Sequence, residues 1–266
     1  MRCGILFAIA AALLCGGTVL AQDPPDRCAT FSQNGLAEAI ACFEGEVDRY
    51  GHQVLGDTPE FETLIFKLRR VDETLENVEE RVGSATLPFE RVFEDVAPRL
   101  ADLTGDGLPE VIVIEADQNA GAQLAVYGFN GDEAFEKVAA TPFIGTRNRW
   151  LAPAGFADFN SDGRLDVAYV QTPHIGGILR IWTLRDGEMI QLASRSGLSN
   201  HRIGQAFIPG GVRDCGDGPE VVTADQTWRD TVASWLQDDG EIASRTIAED
   251  ASLETLERAV ACETDG

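Results

Sequence analysis

Histidine is scarce in this chain, with only His52, His174 and His201 among 266 residues, and methionine occurs twice. Basic residues are also few: 21 Lys and Arg stand against 44 Asp and Glu, a formal charge of −23. Such a field repels nucleic acid and anionic membrane surfaces, so neither is an expected partner. Beyond residue 21 no apolar run is long enough to cross a bilayer. The sequence lacks a Gly-x-Ser-x-Gly elbow, a His-Glu-x-x-His pair and a phosphate-cradling Gly-Lys-Ser/Thr loop, which removes three common catalytic frameworks. A glycosidase-type carboxylate pair stays open because acids are abundant. Most acids at regularly repeated positions, however, lie in the loops described next.

The central stretch is Asp158-Phe159-Asn160-Ser161-Asp162-Gly163-Arg164-Leu165-Asp166, followed by Val167-Ala168-Tyr169-Val170. Side-chain oxygens fall at positions 1, 3, 5 and 9, and the Arg164 carbonyl at position 7 is the natural backbone ligand. Hard cations such as Ca²⁺ take six to eight oxygens, which alternate residues of a compact loop can supply. Gly163 allows the sharp reversal. An EF-hand would need a longer loop with a glutamate at position 12, where Tyr169 stands here. The loop therefore feeds a β-strand.

The element recurs at Asp102–Glu110, before Val111-Ile112-Val113-Ile114, and at Asp214–Glu220, before Val221-Val222. Asp102, Asp158 and Asp214 are separated by two equal steps of 56 residues. Periods of this size mark propeller blades or related arrays. In the first loop Asp102, Thr104, Asp106, Leu108 and Glu110 occupy the ligand positions, with neutral Thr104 the weaker substitute. The third is two residues shorter and is expected to turn without metal. For all three, the alternative is an Asp/Asn/Gly turn whose side chains bond local backbone N–H groups. After each loop the pattern predicts three strands: 110–115, 123–129 and 135–141; then 166–171, 178–185 and 189–194; then 220–224, 231–237 and 241–248. Asn130-Gly131-Asp132, Asp186-Gly187 and Asp239-Gly240 mark the hairpin turns.

The segment Ala154–Ala168 resembles an FG-GAP or VCBS-type repeat, the unit of integrin-like β-propellers. The resemblance covers roughly residues 47 to 245. It implies an all-β β-propeller of four-stranded blades with Ca²⁺ held in loops between strands, and it implies no particular activity. At 56 residues per repeat the chain holds about four blades, set at 47–98, 99–154, 155–210 and 211–250. Five shorter blades or an unclosed array are the alternatives.

Residues 1–21 read as a secretory signal, with Arg2, the apolar run Ile5–Leu14 and small residues before a cut after Ala21. A retained anchor is the alternative. Export makes the protein periplasmic or secreted. Of the cysteines remaining, Cys28 with Cys42 and Cys215 with Cys262 are the favoured disulfides among three pairings. Residues 22–46 are expected to form a linker and a short helix, since Leu36, Ala37, Ile40 and Ala41 have helical spacing. Residues 50–57 and 61–68 are read as strands of a degenerate repeat, although Phe61 to Val82 also fits an amphipathic helix. Residues 251–266 hold a second helix and tail, with Leu253, Leu256 and Val260 on one face.

The entry segments contribute Arg91 and Glu94; Asn148, Arg149 and Trp150; and Asn200, His201 and Arg202. All lie 8 to 14 residues before their loop aspartates. In a propeller they gather on one face, where such residues suit a polar ligand. The bland alternative pairs Arg149 and Arg202 with blade acids and packs Trp150 between blades. The best functional expectation is a monomeric, calcium-stabilised binding module for a protein or glycan. The alternatives are a Ca²⁺-dependent hydrolase on the same scaffold or a structural accessory of the cell envelope.

Overall fold

The computed structural model describes residues 27–33, 37–71, 78–131 and 134–263, and the fold is all-β with one short helix. Four antiparallel units follow one another along the chain. The first comprises β1 (Cys28–Gln33), β2 (Ala37–Val47), β3 (Glu60–Val71) and β4 (Val78–Thr86), paired in sequence order. The second comprises β5 (Arg91–Phe93), β6 (Arg99–Ala101), β7 (Glu110–Asp117), β8 (Gly121–Asn130) and β9 (Ala134–Ala140), joined to the first through Phe61 and Phe93. The third is a four-stranded meander of β10 (Leu151–Ala157), β11 (Asp166–Gln171), β12 (Ile178–Arg185) and β13 (Glu188–Ser196). The fourth comprises β14 (Leu198–Ser199), β15 (Gly211–Asp214), β16 (Pro219–Asp225), β17 (Thr231–Leu236) and β18 (Ile242–Ala248), before helix α1 (Leu253–Val260).

The loop–strand–turn pattern places these strands correctly. The strands expected after each aspartate loop appear as β7–β9, β11–β13 and β16–β18. At the β12–β13 hairpin Asp186 and Gly187 both take positive φ, 50° and 79°, matching the right-handed twist of the flanking strands.

Runs such as Val111-Ile112-Val113-Ile114 are continuously apolar because their sheet is buried on both faces. Val111, Val113 and Tyr127 pack against Phe43, Phe61 and Phe66 of the first unit. Ile112, Ile114 and Leu124 face the other way, onto Trp150, Val167 and Tyr169. Ala168, Val170 and Ile181 then meet Val221, Val232 and Ile242. Finally Val222, Ala233 and Ile247 pack on Leu256 and Ala259 of α1. The sheets thus stack face to face like propeller blades, and α1 covers the outer face of the last. Among the described residues no sheet hydrogen bond joins the fourth unit back to the first.

Three N-terminal expectations are corrected. Residues 37–47 form β2 rather than a helix: Ala37, Ala39, Ala41 and Phe43 alternate into the core, so the period is two. The 22–46 linker-and-helix segment is therefore largely sheet from residue 28 onward, residues 22–26 and 34–36 lying outside the described part. Residues 50–57 are not a strand but a turn that buries Tyr50, Val54 and Leu55. The 61–68 strand is present within β3, and 78–86 is strand rather than helix; residues 72–77 lie outside the described part.

Both expected disulfides form. Cys28 and Cys42 are direct cross-strand partners, and Cys215 ties the loop before β16 to Cys262 just after α1. The helix begins with Ser252 accepting the Thr255 N–H, an N-cap that satisfies one of the first-turn donors. No helix among the described residues is long and apolar enough to cross a membrane.

Candidate functional site

The strand directions divide the molecule into two ends. The aspartate loops lie at one, and β7, eight residues long, carries the chain roughly 27 Å to the other. At that second end the turn after β7 meets two entry segments, through Gln118 N–H to Glu90 O and Gly145 N–H to Ala120 O. The turn after β11 and the turn after β16 meet the third entry segment, where Gln226 N–H donates to Gly197 O. The 50–57 turn joins them through Gly204 N–H to Val54 O. The entry segments therefore share one end.

Two of these segments are interrupted strands. β5 and β6 both pair with β7, and β14 and β15 both pair with β16. The interruptions carry Glu94 and Asp95 in one case and Asn200, His201 and Arg202 in the other. β10 stays continuous and absorbs its irregularity as a bulge at Pro153/Gly155.

Glu94, Trp150, Asn200 and His201 are only 1–3% exposed, so they form the floor of this end rather than its surface. Trp150 Nε1 donates to Glu94 O at 2.8 Å. Its ring contacts those of His201 and His174, with centroids 4.9 and 6.5 Å away. His174 Nε2 lies 2.9 Å from His201 Nδ1, and His52 Nδ1 lies 2.8 Å from Glu94 Oε1. All three histidines of the chain thus converge around one tryptophan. Burial depresses His174 to about 4 and also lowers His201. Burial raises Glu94 to about 7, against the opposing pull of His52, and Glu94 Oε2 has no partner among the described residues. Asn200 Nδ2 holds the Ala152 and Pro153 carbonyls.

The surface above this floor is built from arginines on aromatic rings. Arg49 lies over Phe89 at 5.5 Å, Arg91 over Phe143 at 4.9 Å, Arg147 over Tyr50 at 5.6 Å and Arg202 over Trp228 at 4.3 Å. Arg91 also pairs with Asp117, and Arg49 with Glu62. Arg149 and Arg202 have no carboxylate within 4.0 Å among the described residues, so the expected pairing with blade acids is absent, whereas Trp150 does pack between sheets. Asn148 has φ 55° and donates its N–H to the Tyr50 hydroxyl. Arg147 lies within the second entry segment and Phe89 and Phe143 beside entry segments, whereas Arg49 and Trp228 complete this surface with no sequence signal at all.

The three loops at the opposite end differ in what their oxygens already hold. Asp102 accepts N–H bonds from Gly105, Asp106 and Gly107 with its two oxygens. Glu110 accepts from Leu103 N and from Thr104 N and Oγ1, so this loop is satisfied as a turn. In the third loop Glu220 is bound by Arg213 and Arg245, which neutralise its charge. The second loop differs. Asp158 accepts from Asp162 N and Gly163 N, Asn160 Oδ1 accepts from Asp162 N, and Asp162 pairs with Arg185. Asp166, however, is fully buried: its Oδ2 accepts from Phe159 N, and the buried Thr183 hydroxyl faces the same carboxylate. Burial raises Asp166 to about 6. Asp158, Asn160, Asp162, Asp166 and the Arg164 carbonyl are the oxygens that would hold a Ca²⁺ in this loop. Among the described residues no group of three or more His, Cys, Asp or Glu is already gathered in a metal-holding geometry. A cation would therefore have to draw the second loop's oxygens inward.

A family model described as an FG-GAP-like repeat matches residues 102–169. That span runs from the first aspartate loop through the second and into β11, so the chain carries a repeat of this kind. No curated protein matches significantly. Among solved structures, the crystal structure of AofleA from Arthrobotrys oligospora is similar at 12% identity and a TM-score of 0.38, over 85% of this chain and 72% of that one.

Proposed function

We propose that the chain is an exported binding module that engages a protein or glycan partner through the arginine–aromatic end. The observation that carries this reading is the set of four arginines lying on aromatic rings at that end. Arg49 and Arg91 are also held by Glu62 and Asp117, whereas Arg147 and Arg202 are pre-ordered on their rings with guanidinium N–H groups left for recognition. The buried histidine–tryptophan floor fixes the loops from which these side chains rise. Export is supported by the two disulfides, which form and persist in oxidising compartments. Ca²⁺ in the 158–166 loop belongs to the same proposal as a stabiliser of the opposite end, supported by the alternate oxygen ligands of Asp158, Asn160, Asp162 and Asp166.

The test is binding of the immobilised protein to peptide and glycan arrays, comparing wild type with Arg147→Glu/Arg202→Glu. Arg164→Glu, at the aspartate-loop end, serves as the control. Signals lost only in the double variant support the assignment. Signals that survive it, or fall equally in the control, place the interaction elsewhere.

A further inference from the structure

Resting on that reading, we infer that the partner at this end is a carboxylate-rich protein segment that also carries apolar side chains. Arg147, Arg149, Arg202 and Arg229 share the end, and none has a carboxylate within 4.0 Å among the described residues. The chain has two acids for every base, so a shortage of acids does not explain this.

Neighbouring acids are committed to their own turns. Asp225 takes N–H bonds from Thr227, Arg229 and Asp230 with its two oxygens. Asp117 holds the Asn119 and Ala120 N–H groups and Arg91. These carboxylates shape backbone and leave the guanidinium edges of Arg147 and Arg202 to an outside partner. Arg147 donates one N–H to the Tyr50 carbonyl and Arg202 stacks on Trp228, so both are ordered without a counter-ion. A carboxylate can meet such a fork with two parallel hydrogen bonds. The chain's net negative charge opposes this attraction, and screening to about 8 Å at physiological salt is what leaves the local arginines in control.

The second observation separates a protein from an anionic polysaccharide. Ile175 is 59% exposed, Ile203 71% and Phe207 45%. Ile203 follows Arg202 directly. The turn bearing Ile175 is bound to that of Trp228 through Gln226 Nε2 to Pro173 O. Apolar and aromatic side chains interleaved with arginine characterise protein interfaces, and a polyuronate has no side chains with which to cover isoleucine.

The test uses the mature full-length protein and fluorescein-labelled peptides of repeating Glu-Glu-Leu and Gln-Gln-Leu, with polygalacturonate as a third probe. The Glu-Glu-Leu peptide should bind, weaken as salt rises, and weaken by about tenfold or more in Arg147→Glu/Arg202→Glu. Arg147→Lys/Arg202→Lys keeps the charge without the fork and should fall between; melting curves confirm that each variant folds. Equal binding of Gln-Gln-Leu through the same arginines overturns the inference and leaves the binding face standing. Binding of polygalacturonate alone also overturns it, assigning the face to an anionic glycan. If no probe responds to the arginine changes, both the inference and the face fall.

Discussion

His174 donates its Nε2 hydrogen to His201 Nδ1 across 2.9 Å, an assignment fixed by the far side of the second ring. His201 Nε2 faces the Gln205 carbonyl at 2.9 Å, which can only accept, so that nitrogen carries the hydrogen and Nδ1 is the acceptor. Both rings are neutral in this arrangement. Protonating His201 at Nδ1 would set two N–H groups against each other.

This relationship gives the first prediction. His174 is held near 4, below its ordinary 6.5, so between those values the unfolded chain binds the proton more readily. Its contribution to stability is present above about pH 6.5 and is lost as the pH falls toward 4. The raised Glu94 acts oppositely: its contribution is present below its ordinary 4.5 and is lost as the pH rises through about 7. His174→Gln should therefore lose less stability than wild type on acidification from pH 6.5 to 4, as read by denaturant midpoints. Parallel pH curves for the two proteins would remove His174 from the account.

A second prediction concerns Ca²⁺. A loop of this kind in an extracellular module binds at about 10⁻⁴–10⁻³ M, and a ligand selective for the folded state raises the melting temperature. Asp162→Ala should abolish most of the calcium-dependent rise, and Asp106→Ala should remove less, because Asp102 and Glu110 already have their oxygens satisfied. Equal shifts in wild type and Asp162→Ala, or none in either, would show the loop to be only a turn.

Two glycines supply a third. A Cβ on Gly177, which has φ +35°, would lie 1.7 Å from the Leu198 carbonyl oxygen. At Gly187, φ +79°, nothing lies within 4 Å. Gly187→Ala should cost only the positive-φ penalty of about 1–2 kcal/mol, whereas Gly177→Ala should cost more, by separating β14 from the turn after β11. Urea midpoints of the two variants decide it, and equal losses would contradict the packing described.

A fourth concerns the C-terminal disulfide, which spans a sequence separation of 47 residues. Chain entropy for a loop of that size gives about 4 kcal/mol, before any native strain. Cys215→Ser/Cys262→Ser should lower the unfolding free energy by an amount of this order. A loss under about 1 kcal/mol would mean that α1 docking alone holds this end.

The strands after the aspartate loops were legible because three signals coincide there: a fixed loop grammar, a doubly buried apolar run and an Asp-Gly or Asn-Gly turn. The 37–43 segment was not, since Ala37, Ile40 and Ala41 satisfy a helical period while Ala37, Ala39, Ala41 and Phe43 satisfy a strand period. What decides is remote: β1 on one side and β3 on the other. The shared location of the entry segments followed from their position 8 to 14 residues before the loop aspartates. The convergence of His52, His174 and His201 did not, because their spacing obeys no period and they meet only when turns from different units are stacked. Which entry residues face solvent was hidden for the same reason; the strand interruptions turn Glu94 and His201 inward and leave Arg202 outward.

The bond between Cys215 and Cys262 also sets how the chain bears load. Tension applied at the C-terminus passes from Cys262 straight to Cys215. β16, β17, β18 and α1 all lie within the bypassed loop. In an oxidising compartment β16, β17, β18 and α1 are thereby shielded from extension, and the load falls on the strands that precede Cys215, β14 and β15 of the same sheet included. Once the bond is reduced, the same pull would peel α1 away first and uncover Val222, Ala233 and Ile247.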